Sequence, residues 1–174
     1  DMASTLKINN LDTASGTTIT IPTGKQLIGT DTNSIKAPGM VVQIATDLDT
    51  TSLTMDANQN YFDTGLSIAF TPKYSNSIIV IQCMMGAEVF SSSNIGIGFR
   101  LLKDASLVYD NDYSLYNSSN NAQRIEQVPI LYTETSGSTS ARTYKVQVSR
   151  RAGGGAARLN NYAQSSMVIT EYAQ

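Results

Sequence analysis

The sequence contains no histidine and a single cysteine, Cys83. Without histidine the chain lacks the commonest general base and the commonest metal ligand, and Ser-His-Asp and Cys-His nucleophilic arrangements are excluded. One cysteine excludes both an intrachain disulfide framework and a cysteine-rich zinc site. Cys83 lies in an apolar strand pattern, which favours a small buried side chain over a reactive thiol. We therefore expect a non-enzymatic protein with no catalytic residue, no metal and no cofactor.

Charge is also scarce, because Asp, Glu, Lys and Arg make up 15% of the residues, against roughly a quarter in an average domain. The net charge of −2 argues against a nucleic-acid binder, which carries a strongly basic domain. An apolar content of 41% is too high for a disordered chain. No apolar run approaches the roughly 20 residues of a membrane-spanning helix, and Met2 leads directly into polar residues without a signal-peptide pattern. These features predict a β-rich globular protein with a neutral, hydrogen-bonding surface and no membrane insertion.

Residues 3–38 read as short extended segments separated by turns, such as the turn at Pro22-Thr23-Gly24-Lys25. Two-stranded pieces of this size are marginal alone. They become stable if identical chains wind together as a fibre shaft; an ordinary N-terminal arm is the alternative. Ala37-Pro38-Gly39 predicts a boundary. We therefore divide the chain into an extended shaft or arm, residues 1–38, and a head domain, residues 39–174.

The head domain shows strand patterns and no helical period. Residues 65–71 alternate between apolar and small or polar side chains, and Pro72 ends the pattern. Several strands at short spacing with polar turns predict an all-β fold, an antiparallel β-sandwich of the jelly-roll kind. Residues 77–89 predict a long strand with apolar side chains on both faces. On an antiparallel strand, a second apolar face indicates a subunit interface or a covering loop.

A candidate binding segment follows the predicted hairpin turn at residues 103–106. Residues 110–123 are rich in Asn, Ser and Tyr and lack a period, so they predict a long loop. Aromatic rings cover sugar faces, and amides and carboxylates bond hydroxyl groups, so this composition is typical of adaptable recognition. The candidates for binding a sugar are Tyr109, Asp110, Asp112, Tyr113, Tyr116 and Asn117. The alternative is that these tyrosines pack on the sandwich or between subunits.

A second candidate feature is the positive charge near the C-terminus, at Arg142, Lys145, Arg150, Arg151 and Arg158. Arginine binds phosphate or carboxylate groups bidentately, and Arg150, Arg151 and Arg158 are the binding candidates. Ion pairing across subunits or ordinary solvation is the alternative. Asp110-Asn111-Asp112 offers oxygen ligands, but calcium needs six to eight and no EF-hand spacing follows. A solvated turn is therefore the default interpretation of that tripeptide.

Several blocks resemble tail-fibre-like proteins of marine and aquatic tailed bacteriophages. Residues 3–8, 18–22 and 29–31 resemble their N-terminal segments. The blocks at 65–80, 99–104, 144–148 and 165–171 resemble their head domain, in the same order along the chain. Ala105 departs from the pattern, because members often carry Gly after the aspartate, and this puts a tight primed hairpin turn in doubt.

The resemblance implies a β-sandwich that forms a homotrimer on the surface of a virion made in the host cytoplasm. It implies contacts with other virion proteins through residues 3–38, and no shared catalytic motif. The first hypothesis is a tail-fibre head that contacts the host surface. The alternatives are a capsid decoration, or head-fibre, protein and a glycan-acting hydrolase.

Overall fold

The computed structural model describes residues 20–29, 35, 37–55, 60–91, 94–118, 122–151, 153 and 155–174. The chain divides into two compact units, Asp1–Ile35 and Lys36–Gln174. In the first unit, residues 20–29 are exposed, and the Lys25 N–H donates to the Pro22 carbonyl at 3.0 Å. Gly24 has a φ of +78°, as the third position of a type II turn requires. The turn predicted here is confirmed, whereas the shaft or arm predicted for residues 3–38 lies largely outside the described residues.

The described part of the second unit consists of strands joined by turns and short links. The strands are β1 (Val41–Asp49), β2 (Leu53–Thr54), β3 (Phe62–Phe70), β4 (Ile78–Ser91), β5 (Ile95–Lys103), β6 (Ser106–Asn117), β7 (Ala122–Thr135), β8 (Arg142–Arg151), β9 (Ala156–Leu159) and β10 (Ser165–Tyr172). The predicted all-β class is confirmed. Among the residues the structure describes, no helix is long and apolar enough to span a membrane.

The strands form two antiparallel sheets. The six-stranded sheet has the order β1-β10-β4-β9-β2 with β7 on the other side of β4, and the four-stranded sheet has the order β3-β8-β5-β6. Strand β10 pairs with residues 78–84 of β4 and β9 pairs with residues 87–90, so β9 and β10 share one position beside β4. The long strands therefore run β1-β10-β4-β7 in one sheet and β3-β8-β5-β6 in the other, which is the arrangement of a jelly roll. The predicted jelly-roll-like sandwich is confirmed.

The core lies between the two sheets, where alternate residues of each strand point inward. Six residues of β4 are at most 1% exposed: Ile79, Ile81, Cys83, Met85, Ala87 and Val89. They join inward residues of β5 and β8 in one apolar cluster. Burial raises the pKa of Cys83 to about 12. This confirms the interpretation of the cysteine as a small buried apolar residue.

The opposite face of β4 is covered at one end and open at the other. A Cβ on Gly86 would lie 2.2 Å from the Ala163 carbonyl oxygen, because residues 160–164 cross the sheet there. The Asn160 N–H donates to the Gly86 carbonyl at 2.9 Å, and Glu88 beside it is buried. Met84, two residues before Gly86, is 42% exposed. A covering loop therefore accounts for the end of the strand, and the rest of this face is open in the single chain.

The interpretation of residues 110–123 as a long loop is wrong. Strand β6 continues to Asn117 and β7 begins at Ala122. The ladder between β5 and β6 shifts register between Ile97, which pairs with Leu115, and Phe99, which pairs with Asn111. The irregularity removes the two-residue alternation from the sequence, and within β6 the structure buries only Leu115 and Asn117. The sequence of β6 therefore lacks the alternation of apolar and polar residues that predicts a strand.

The hairpin between β5 and β6 turns through two residues, Asp104 and Ala105, with Lys103 paired to Ser106. Asp104 has a φ of +55°, and Ala105 is not among the residues with positive φ. A type I′ turn needs positive φ at both central residues and type II′ needs it at the first alone. The hairpin is thus confirmed, and the alanine is accommodated because the left-handed residue is the aspartate.

Glu171 is a fully buried carboxylate that holds the connection between β3 and β4. It accepts hydrogen bonds from the backbone N–H of Lys73 at 2.9 Å and of Tyr74 at 3.1 Å. It also accepts from Ser77 Oγ and Gln43 Nε2, both at 2.6 Å. Burial alone would raise the pKa of Glu171, but these hydrogen bonds outweigh it, so the pKa lies below its ordinary value.

We expect Glu171→Gln to lower the free energy of unfolding by about 1–3 kcal/mol at pH 7. The substitution replaces one carboxylate oxygen with an NH₂ group, so the donors that bond that oxygen lose their acceptor. The pKa is depressed in the folded state, so the stabilisation is complete above the ordinary value of 4.5 and is lost as the pH falls through the folded value. Urea unfolding across this range should show wild type losing stability more steeply than Glu171→Gln.

The matched control is Glu126→Gln, because the Glu126 side chain is 40% exposed. This variant should stay within about 0.5 kcal/mol of wild type. Equal acid dependence in wild type and Glu171→Gln would contradict the role given to the buried carboxylate.

Candidate functional site

The outer face of the four-stranded sheet gathers most of the candidate binding residues. Gly96 and Gly98 of β5 occupy outward-facing positions, where the lack of a side chain lets other groups approach the backbone closely. A Cβ on Gly96 would lie 3.0 Å from Cδ1 of Tyr113, and one on Gly98 would lie 2.7 Å from Oη of Tyr61. Glycine in a strand commonly marks such a close approach. The two glycines therefore seat two tyrosine side chains directly on the sheet.

Tyr61 is the centre of a charged cluster on this face. Its hydroxyl donates to Asp112 Oδ1 at 2.7 Å, and the Arg100 guanidinium lies 3.7 Å from the centre of its ring. Arg100 pairs with Asp110 at 3.1 Å, and Arg151 pairs with Asp112 at 2.7 Å. We call these five residues the Tyr61 cluster; its two arginines are balanced by its two aspartates.

The cluster fixes the protonation of its own members. Burial, then the hydrogen bond to Asp112, raises the pKa of Tyr61 well above its usual range. The hydrogen bond from Tyr61 outweighs desolvation and, together with Arg151, lowers the pKa of Asp112. At neutral pH Tyr61 is therefore a hydroxyl donor and Asp112 an ionised acceptor.

Two further tyrosines form an aromatic platform beside the cluster. The rings of Tyr113 and Tyr116 have centroids 5.7 Å apart and an interplanar angle of 79°, the edge-to-face geometry that aromatic pairs favour. Tyr113 is 55% exposed. The two side chains border an open cavity of about 400 Å³. This Tyr113–Tyr116 platform presents apolar ring surface to solvent next to the carboxylates of the Tyr61 cluster.

The other candidates from the same strand point into the fold. Tyr109 is partly buried against the core. Asn117 is buried, and its Nδ2 donates to the Ala122 carbonyl at 2.9 Å across the link between β6 and β7. These two residues therefore position the strand and contribute no surface to the platform.

The candidate arginines separate to three places. Arg151 joins the Tyr61 cluster. Arg150 donates to the carbonyls of Gly155 at 2.9 Å and Gly153 at 3.0 Å, so it holds the glycine-rich connection. Arg158 lies on β9 in the six-stranded sheet, 3.5 Å from Glu88.

The two remaining basic residues of the C-terminal region are also paired within the chain. Arg142 pairs with Glu134 at 3.3 Å and Lys145 with Asp63 at 3.0 Å.

Tyr61 and Arg100 were not among the candidates. Arg100 carries a signal in the sequence, because Gly96, Gly98 and Arg100 alternate and must share one face of a strand. Tyr61 carries no such signal. It is the residue immediately before β3, and it lies at the site only because β3 pairs with β8 and β8 pairs with β5.

The arrangement provides ring faces for stacking contacts with a ligand, and hydroxyl donors and carboxylate acceptors for hydrogen bonds with it. Asp110 and Asp112, which offered oxygen ligands for calcium, are directed at arginines and at Tyr61. Across the described ranges, no group of three or more Cys, Asp or Glu side chains is placed to hold a metal ion.

No protein-family model matches the sequence, and no curated protein matches it. Solved structures of infectious bursal disease virus are similar to the chain. The Gx strain structure has a TM-score of 0.43 and 13% identity, over 86% of this chain and 41% of that one. The VP2 subviral particle has a TM-score of 0.44 and 13% identity, over 85% and 37%. This chain thus spans about two fifths of the length of those proteins. Likeness at this level does not identify a function.

We expect Tyr61→Phe to raise the pKa of Asp112 toward its ordinary value, because the tyrosine hydroxyl is the largest cause of the depression. A carboxyl ¹³C NMR titration measures this directly. Tyr132→Phe is the control, since the Tyr132 hydroxyl donates to Glu134 at 3.3 Å, away from the cluster. An unchanged Asp112 titration in Tyr61→Phe would show that the hydrogen bond has no such effect.

Proposed function

We propose that this protein is a virion structural protein, the trimer-forming head of a tail-fibre-like phage protein that contacts a glycan on the host surface. The observation that carries the proposal is the exposed Tyr113–Tyr116 platform beside the carboxylate of Asp112. Rigid aromatic side chains flanked by polar groups are the anchors of adaptable recognition surfaces. The ordered blocks that resemble tail-fibre-like proteins add to this support.

The jelly roll is compatible with the proposal, because this architecture occurs in viral capsid and lectin domains. A fold does not itself determine a function, so the proposal depends on the site. A sugar ring stacks on Tyr113 or Tyr116, and its hydroxyl groups donate to the lone pairs of Asp112 that Tyr61 and Arg151 leave open, since this side chain is 42% exposed. The role is binding without catalysis, metal or cofactor.

Copies of the chain associate as a homotrimer on the surface of the phage particle, and residues 3–38 contact other virion proteins. The protein inserts into no membrane and binds no nucleic acid. Binding of the labelled protein to the cells that the parent phage infects tests the host-contact role, and failure to bind those cells would contradict it.

A capsid decoration protein is the second candidate. The observation in its favour is the open part of the outer face of β4, where Met84 is 42% exposed, because an exposed apolar surface also packs against a capsid. Binding to capsids that lack the protein distinguishes the two candidates. Attachment to such capsids without binding to host cells would favour decoration.

We expect Tyr113→Ala to weaken binding to the host cell surface about tenfold, because an aromatic contact contributes roughly 1 kcal/mol or more. Tyr113→Phe should bind within about two- to threefold of wild type, since it keeps the ring face. The measurement is a binding isotherm of labelled protein on cells or on their purified surface polysaccharide.

Leu107→Ala is the control for this series, because Leu107 is an exposed apolar residue on the same strand, at its other end. Its isotherm should match wild type. Equal affinities for Tyr113→Ala and wild type would place the contact elsewhere on the molecule.

A further inference from the structure

The open part of the six-stranded sheet has a regular outer face. In successive rows, β1, β10, β4 and β7 align Leu48, Ser166, Met84 and Pro129, then Thr46, Val168, Gln82 and Leu131, then Ile44, Thr170, Val80 and Thr133. Each of these positions is apolar or an uncharged polar residue. We call this surface the uncharged face.

The apolar side chains near the two edges of the uncharged face are exposed in the single chain, whereas Val80 and Val168 between them are partly buried. Leu131 is 61% exposed, and Ile44 and Leu48 are exposed to a similar degree. The outer face of the four-stranded sheet is different, since it carries the ion pairs Arg100–Asp110, Lys145–Asp63 and Arg151–Asp112. The core of a protein–protein contact is depleted in charge. The uncharged face has that composition and the opposite face does not.

The lack of charge also favours one kind of occupant. A surface that meets a copy of itself repels it if it carries net charge, and a neutral surface avoids this cost. A charged partner would find no complementary group at the aligned positions. A second copy of the chain fits the face without requiring any charge match.

Segment 160–164 lies on the same side of the sheet and makes that surface uneven. Tyr162 is 63% exposed. It borders a cavity of about 600 Å³ that is also lined by Leu48, Met84 and Gln127. An exposed ring therefore lies at the border of an open hollow, so copies related by rotation can pack the ring of one against the hollow of the next.

The area of the contact can be compared with what a stable interface needs. Four strands about 4.8 Å apart and roughly 17–24 Å long give a plane of about 300–450 Å². Each partner of a stable interface buries about 800 Å². The flat area of the sheet is therefore about half of the area that a stable interface buries, and the surfaces of the side chains add to it. Segment 160–164 adjoins the sheet and extends this surface.

We propose that the uncharged face, together with segment 160–164, is the surface through which copies of this chain contact one another. The inference rests on the self-association in the proposed function and specifies where it occurs. It leaves the Tyr113–Tyr116 platform, on the opposite sheet, outside the contact.

The test is the mass of the purified full chain in solution by light scattering, with Leu131→Arg as the disrupting variant. Wild type should have a mass near three times 18.7 kDa, and Leu131→Arg should have the mass of one copy. Leu131 is exposed in the single chain, so the substitution should change the stability of the fold by about 0.5 kcal/mol or less. Thr46→Lys, on β1 of the same face, should also give single copies.

Leu107→Arg is the matched control, because it places the same charge on an exposed leucine of the other sheet. It should keep the wild-type mass. If Leu131→Arg and Thr46→Lys fold and still assemble as wild type does, the inference is overturned while self-association stands. A wild-type chain that is a single copy at micromolar concentration overturns both self-association and its location.

Discussion

Strand β4 is the element on which the rest of the structure depends. It is 14 residues long and pairs along its whole length with β7 on one side, and with β10 and then β9 on the other. Because its inward residues are almost fully buried, the register of β4 determines which side chains of three neighbouring strands face the core and which face outward. The uncharged face is a direct consequence of that register, and so is the crossing of segment 160–164 at Gly86, where only a residue without a side chain fits.

The two sheets turn different chemistry toward their surroundings. The four-stranded sheet exposes aromatic rings over glycine backbone and balances its charges in the Tyr61 cluster. The six-stranded sheet exposes aliphatic side chains and no charge at the aligned positions of its four long strands. A jelly roll whose two faces differ in this way fits the proposed subunit, which packs against copies of itself through one face and presents the other face to a ligand. The proposed virion role joins these two surfaces in one molecule.

Sequence patterns predicted the parts of the structure that depend on local alternation. The inward face of β4, the buried Cys83 and the hairpin at Asp104 and Ala105 all follow from the period of a strand or from turn chemistry. Strand β6 was not predicted, because its irregular pairing with β5 removes the two-residue period from the sequence. The Tyr61 cluster was not predicted either, because residues of β5, β6 and β8 and the tyrosine before β3 are far apart in the sequence and meet only in the folded sheet. Arg150 was misleading, since a charged side chain near glycines can hold a turn as readily as a ligand.

We propose that the uncharged face is buried between subunits on a virion and that the Tyr113–Tyr116 platform faces outward. Electron cryomicroscopy of the intact particle that carries this protein tests it most directly. We expect density for a neighbouring copy against Leu131 and Met84, with Tyr113 and Tyr116 on the outer surface of the assembly. Leu131 and Met84 in open solvent, with the tyrosine rings packed between subunits, would contradict it.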